Sequence, residues 1–104
     1  MEQLVQRKEN TLVVHIPVEV DHYFADAVRE EIDYRLQTEE IESLEFDFQD
    51  TEFMDSSGIG LLMGRYKLMK ALGGTICISH AGERIQKILM LSGIHKIIPM
   101  EREL

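Results

Sequence analysis

The chain has 104 residues, 44% hydrophobic and 29% charged, with a formal net charge of −8. That length supports one globular domain over residues 1–104 with a real core and is too short for two. The negative balance argues against nucleic acid, whose binders need a basic face against the phosphates, and favours a partner with a basic docking surface.

Residues 4–7 and 12–16 alternate as two strands around the turn-prone Lys8-Glu9-Asn10, which predicts a hairpin. Pro17 ends the second strand, since it cannot donate to a ladder. Asp21 is placed to cap a helix whose core stripe is Phe24, Val28, Ile32 and Leu36, with Arg29, Glu30 and Asp33 off that stripe. Residues 44–48 are a third strand, with Leu44, Phe46 and Phe48 on one face. A second helix is predicted over 57–72 and stops at Gly73-Gly74. Residues 75–79 form a fourth strand. A third helix over 82–91 buries Ile85, Ile88 and Leu89 and closes at Ser92-Gly93. Ile97-Ile98, before Pro99, is expected to add a short last strand. Strands separated by helices predict an α/β fold with a mixed, mostly parallel sheet of four to five strands. The alternation in strands three and four places the helices mainly on one face.

No stretch approaches the roughly 18 apolar residues of a membrane span, and Met1-Glu2-Gln3 lacks the basic start of a signal peptide. A cytoplasmic protein with no membrane partner is therefore expected. The single cysteine, Cys77, fits that compartment and is expected to be a small buried thiol rather than a nucleophile.

Catalytic patterns fail on spacing. Met54-Asp55-Ser56-Ser57-Gly58 lacks the leading glycine of a serine hydrolase elbow. His15, His22, His80 and His95 are scattered, with neither an assignable base for a serine nor helical metal-site spacing. Gly58-Ile59-Gly60 and Gly64 match neither a dinucleotide fingerprint nor a phosphate loop. No enzyme activity, metal or cofactor is expected.

The junction Phe53-Met54-Asp55-Ser56-Ser57-Gly58-Ile59-Gly60 carries more. It hands a strand over to a helix N-terminus, where unpaired backbone N–H groups and the positive end of the helix dipole converge. Asp55, Ser56 or Ser57 can cap the helix there, and the same place suits a phosphate or a presented hydroxyl. Along the helix, Ile59, Leu62, Met63 and Tyr66 form one apolar stripe, and Leu61, Leu68 and Leu72 lie nearly opposite. One stripe must face the sheet; the other is covered by a neighbouring helix or is a docking surface beginning at the serines.

This junction, continued through Gly64-Arg65-Tyr66-Lys67, resembles the signature of bacterial anti-sigma factor antagonists, stand-alone domains of the sulphate transporter and anti-sigma antagonist (STAS) class. Glu19-Val20-Asp21-His22 is similar to the family's acidic segment before its first helix, and Leu91-Ser92-Gly93-Ile94-His95-Lys96-Ile97-Ile98 to its C-terminal segment. Within the family the match resembles the sporulation members, which act on an anti-sigma-F factor. The resemblance implies a STAS fold and a partner switch. An unphosphorylated antagonist binds an ATP- or ADP-bound anti-sigma factor that is also a serine kinase, and sigma factor is released. Phosphorylation then breaks the complex, and a serine phosphatase resets it. By position in the motif the resemblance makes Ser56 the phosphoacceptor and leaves Ser57 a structural role. Asp21, Ser56, Ser57, Gly58, Ile59, Gly60 and Met63 are the expected docking surface of a monomer. Val18 stands where members often have glycine, and the sequence stops at Leu104, before the final helix many members possess. The alternatives are a STAS scaffold module of another, stress-type assembly, or a small nucleotide-binding protein.

Overall fold

Glu9, in the left-handed region at φ 57°, turns the chain between its first two strands in a computed structural model that describes residues 4–101. The ends of the expected 1–104 domain, residues 1–3 and 102–104, lie outside the described residues. The elements are β1 (Val5–Lys8), β2 (Thr11–His15), β3 (Glu19–Val20), α1 (His22–Thr38), β4 (Ser43–Asp47), β5 (Phe53–Met54), α2 (Ser56–Leu72), β6 (Thr75–Ser79) and α3 (Glu83–Ser92), followed by a 3-10 turn, Ile94–Lys96.

The main sheet has the order β1-β2-β4-β6. β1 and β2 pair antiparallel, and β2, β4 and β6 run parallel. The register aligns Leu12 with Leu44 and Ile76, and Val14 with Phe46 and Ile78. All six side chains are buried in one core with Val28, Ile32, Leu62, Met69, Ile85 and Leu89 of the three helices. The period of two sends Thr11, His15, Ser43, Glu45, Asp47 and Cys77 to the opposite, partly exposed face. The mixed sheet with helices on one face is as the sequence predicts.

Three local features differ from expectation. First, β3 and β5 form a separate two-stranded parallel sheet, pairing Glu19 with Phe53 and Val20 with Met54. Two-residue strands are too short to leave a periodic signal. Second, Ile97-Ile98 is not a strand. Ile97 closes the 3-10 turn, Ile98 is fully buried, and the pairing comes after Pro99. There the Ile78 amide donates to the Pro99 carbonyl at 2.9 Å and the Glu101 amide donates to the Ile78 carbonyl at 2.7 Å. Proline lacks a donor but keeps its acceptor, so the chain can bond to an edge strand on either side of it.

Third, α2 buries neither expected stripe as such. Its core line is Gly58, Leu61, Leu62, Arg65 and Met69, which runs between the two. Ile59, Met63, Tyr66 and Leu68 pack partly buried on its flanks, and Leu72 is exposed. With an arginine on the buried line, hydrophobic residues alone indicate the wrong direction for the helix. α1 packs against α2, so a neighbouring helix covers part of the surface that the sequence left open. Gly73, at φ 79°, ends α2 in the left-handed conformation that glycine adopts without a Cβ penalty.

Candidate functional site

The second sheet exists to bring two helix starts together. After Val20 and Met54 pair, the chains turn directly into α1 and α2. Asp21 accepts from the Phe24 amide through Oδ1 at 2.9 Å, and Asp55 accepts from the Ser57 amide through Oδ1 at 2.8 Å. The two caps are adjacent in register, and the Asp55 amide donates to the Val20 carbonyl at 3.3 Å. The cap of α2 is thus Asp55. Ser57, to which the family resemblance leaves a structural role, receives the cap through its backbone and does not provide it.

Ser56 is the first residue of α2. It is exposed, and among the described residues its hydroxyl has no hydrogen-bond partner. Ser57, one residue on, is partly buried. The solvent face of α2 continues through Gly60 and Lys67, both exposed, with Met63 and Gly64 partly exposed. A Cβ at Gly60 or Gly64 would meet nothing within 4 Å, so the backbone there is open to close approach. Ile59 is partly buried on the core's edge.

Gly58 is different. It is buried, and a Cβ there would lie 2.2 Å from Met54 Cγ and 3.4 Å from Val20 Cγ1. The missing side chain lets α2 settle onto the β3–β5 ladder, so Gly58 acts on the site through packing. The structure therefore brings Asp21, Ser56, Ser57 and Gly60 to one end of the helix pair, sets Met63 further along the same helix, and places Gly58 and Ile59 beneath or beside them.

The rim of this end is anionic, with Glu19, Asp21, Glu52 and Asp55 all exposed. Two aromatic residues also stand out from it. Tyr23 is 75% exposed and Phe53 is 49% exposed, with the Arg84 guanidinium 5.0 Å from the Phe53 ring centroid. Sequence reading quoted Phe53 only as the start of the junction and passed over Tyr23, because neither falls on an apolar stripe at strand or helical spacing. A carboxylate rim with exposed aromatics suits a basic partner surface that also offers apolar contact.

The polar face of the sheet holds a second constellation. Asp47 meets His15 Nδ1 through Oδ2 and His80 Nδ1 through Oδ1, each at 2.9 Å. Burial opposes ionisation of this carboxyl, but the Gln49 amide and the two imidazoles outweigh it and hold Asp47 below the usual carboxylate range. The histidines are 65 residues apart in sequence and meet only because β2, β4 and β6 are adjacent. Cys77 is half-buried on this face rather than in the core. Desolvation, then the Glu101 and Glu45 carboxylates, push its thiol up to about 12. Glu45, Cys77 and Glu101 bring one donor atom each within 4.8 Å of one another, but this setting favours the thiol over the thiolate that a metal takes.

The comparisons with known proteins bear on the family and the fold. The family model of the STAS domain matches residues 2–104. The chain is 32% identical over 96 residues to the anti-sigma F factor antagonist of Paenibacillus polymyxa, covering 92% of this chain and 82% of that protein. It is 31% identical over 94 residues to the anti-sigma-B factor antagonist of Bacillus subtilis, covering 90% and 84%. Its fold matches the anti-sigma factor antagonist SpoIIAA in its unphosphorylated form with a TM-score of 0.84, at 24% identity over 95% of this chain and 87% of that one. The phosphorylated form of SpoIIAA, from Bacillus, gives a TM-score of 0.77 at 24% identity, over 95% and 90%. With the family model spanning nearly its whole length, this chain belongs to the STAS domain family.

Proposed function

We propose that this protein is an anti-sigma factor antagonist. In its unphosphorylated form it binds an anti-sigma factor that is also a serine kinase, which frees a sigma factor. Phosphorylation of Ser56 switches that binding off, and a serine phosphatase restores it. Two relatives above 30% identity carry the name antagonist, one for an anti-sigma F factor and one for an anti-sigma-B factor. SpoIIAA, which shares the fold, exists in unphosphorylated and phosphorylated forms. The observation in this chain that carries the reading is the exposed hydroxyl of Ser56, unbonded among the described residues, at the start of α2, one residue after the Asp55 cap and at the same end as the Asp21 cap.

The physics of the switch is local. A phosphate adds about −1.5 to −2 charges at neutral pH. The N-terminus of α2 stabilises it, while the exposed carboxylates of Asp55 and Asp21 oppose it. On a docking face already matched to a basic partner, the added bulk and charge displace contacts without any refolding. The protein acts here as a regulator and substrate rather than a catalyst, as a monomer in the cytoplasm. No helix among the described residues is long and apolar enough to cross a membrane.

The test is phosphate incorporation with the purified anti-sigma factor kinase and ATP. Wild type should take up one phosphate and Ser56→Ala none, with Ser57→Ala still a substrate. Full incorporation into Ser56→Ala would overturn the assignment.

A further inference from the structure

The α1–α2 interface contains a charged pair that the docking end does not use directly. Arg65, on the buried line of α2, is 8% exposed. Its Nε lies 3.0 Å from Asp33 Oδ1 on α1, yet the two do not align as a hydrogen bond, and Nη1 has no acceptor among the described residues. Burial, and then Arg29 on α1, work against the Arg65 charge, with Asp33 the group that favours it. Arg29 is itself engaged with Asp26 at 3.7 Å.

A guanidinium buried against one carboxylate and left partly unpaired gives little or no net stability compared with apolar side chains of similar volume. What such a pair does supply is direction. Aliphatic stripes such as Val28-Ile32 and Leu62-Met69 still make contact after a small slide, whereas an ion pair loses its partner. Its position gives that direction a use. Asp33 lies twelve residues beyond the Asp21 cap and Arg65 ten residues beyond the Asp55 cap, or roughly 18 Å and 15 Å along the two helices. The helix pair is thus held at two levels, by the β3–β5 ladder at the caps and by Asp33–Arg65 near mid-helix.

We propose that Asp33–Arg65 is a register lock: both are positioning residues that fix α2 against α1, and so fix Ser56 relative to Asp21. The inference rests on the docking reading for its biological meaning, but its physical content concerns the free protein.

The experiment compares backbone amide residual dipolar couplings and thermal unfolding of the full-length protein, as wild type and as Asp33→Leu/Arg65→Met. The expected result is a melting temperature equal to or above that of wild type, together with couplings across α2 that no longer fit its wild-type orientation relative to α1. Couplings that superimpose on those of wild type would overturn the lock, whatever the melting temperature. If the double variant does not fold, Arg65→Met alone, which removes the buried charge and leaves the partly exposed Asp33 unpaired, takes its place: couplings across α2 that depart from wild type support the lock, and couplings that superimpose overturn it. Neither measurement involves a kinase, so failure of the lock and failure of the docking reading are separate results.

Discussion

Asp21 and Asp55 cap different helices from the same end of one short ladder, because Val20 pairs with Met54 and the next residue on each strand is a helix cap. Each carboxylate therefore has two separable jobs, a structural one toward its helix and an electrostatic one toward whatever docks at that end.

Asparagine separates these jobs. It caps about as well as aspartate, whereas alanine costs about 1 kcal/mol, within a range of about 0.5–2. In urea denaturation, Asp21→Asn and Asp55→Asn should stay close to wild type, and the two alanine variants should lose about 1 kcal/mol each. If the carboxylates also form the docking face, Asp21→Asn should weaken binding to the anti-sigma factor kinase in titration calorimetry while leaving stability intact. Equal affinity for Asp21→Asn would confine Asp21 to capping.

The glycines of α2 make a similar contrast. A methyl at Gly58 would collide with Met54, and overpacking of this kind costs about 1–3 kcal/mol. Gly58→Ala should therefore destabilise by that amount, with a smaller penalty when Met54 is also shortened to alanine. Gly60 faces open space, so Gly60→Ala should gain up to about 1 kcal/mol of helix propensity. On the docking reading, that more stable variant binds its partner less well, because the added methyl lies where the partner approaches.

These contrasts also show what the sequence made legible. The strands of the main sheet and all three helices follow from the alternation of Leu44, Phe46 and Phe48, from the Val28-Ile32-Leu36 stripe, and from the glycine stops. Asp21 could be singled out because it sits at a helix start, whereas only the family resemblance separated Ser56 from Ser57. Their adjacency could not, since it depends on a two-residue ladder with no periodicity. Arg65 was hidden for a different reason. A buried arginine pairs with a residue 32 positions away, so hydrophobic patterning displaces the core line of α2 onto its flanks. The Asp47 cluster likewise forms only once three strands are in register.

That cluster makes stability depend on acid. Asp47 is held below its ordinary pKa in the folded protein, so the unfolded chain binds more protons in the window below about pH 4. Its contribution is fully present above that window and is lost as pH falls through the folded value. The stability difference between wild type and Asp47→Asn should thus shrink steadily below about pH 4. A difference that does not change with pH would show that the Gln49 amide and the two imidazoles together do not outweigh the burial of the carboxyl.

Cys77 should be chemically quiet despite being half-exposed. With its thiol pushed up to about 12, its thiolate fraction near pH 8 is roughly a thousandfold below that of an ordinary thiol near 8.5. Labelling by a disulfide reagent should be correspondingly slow in the folded protein and rapid in urea. Glu101→Gln should speed it, because it removes a carboxylate that disfavours the thiolate; an unchanged rate would leave desolvation and Glu45 as the causes.

Ser56→Asp tests the switch by charge alone. A carboxylate in the first turn of α2 interacts favourably with the helix N-terminus by about 0.3–1 kcal/mol, and repulsion from Asp55 offsets part of this. Folding stability should therefore change little. Affinity for the kinase should fall at least about tenfold, because the new charge lies on the docking face rather than in the core. Ser56→Asn, of similar size and neutral, should fall less, and raising the salt should narrow the gap between the two, since exposed charges are screened. If Ser56→Asn weakens binding as much as Ser56→Asp, bulk rather than charge releases the partner. The carboxylates of Asp21 and Asp55 would then matter for how the partner binds and not for how it leaves.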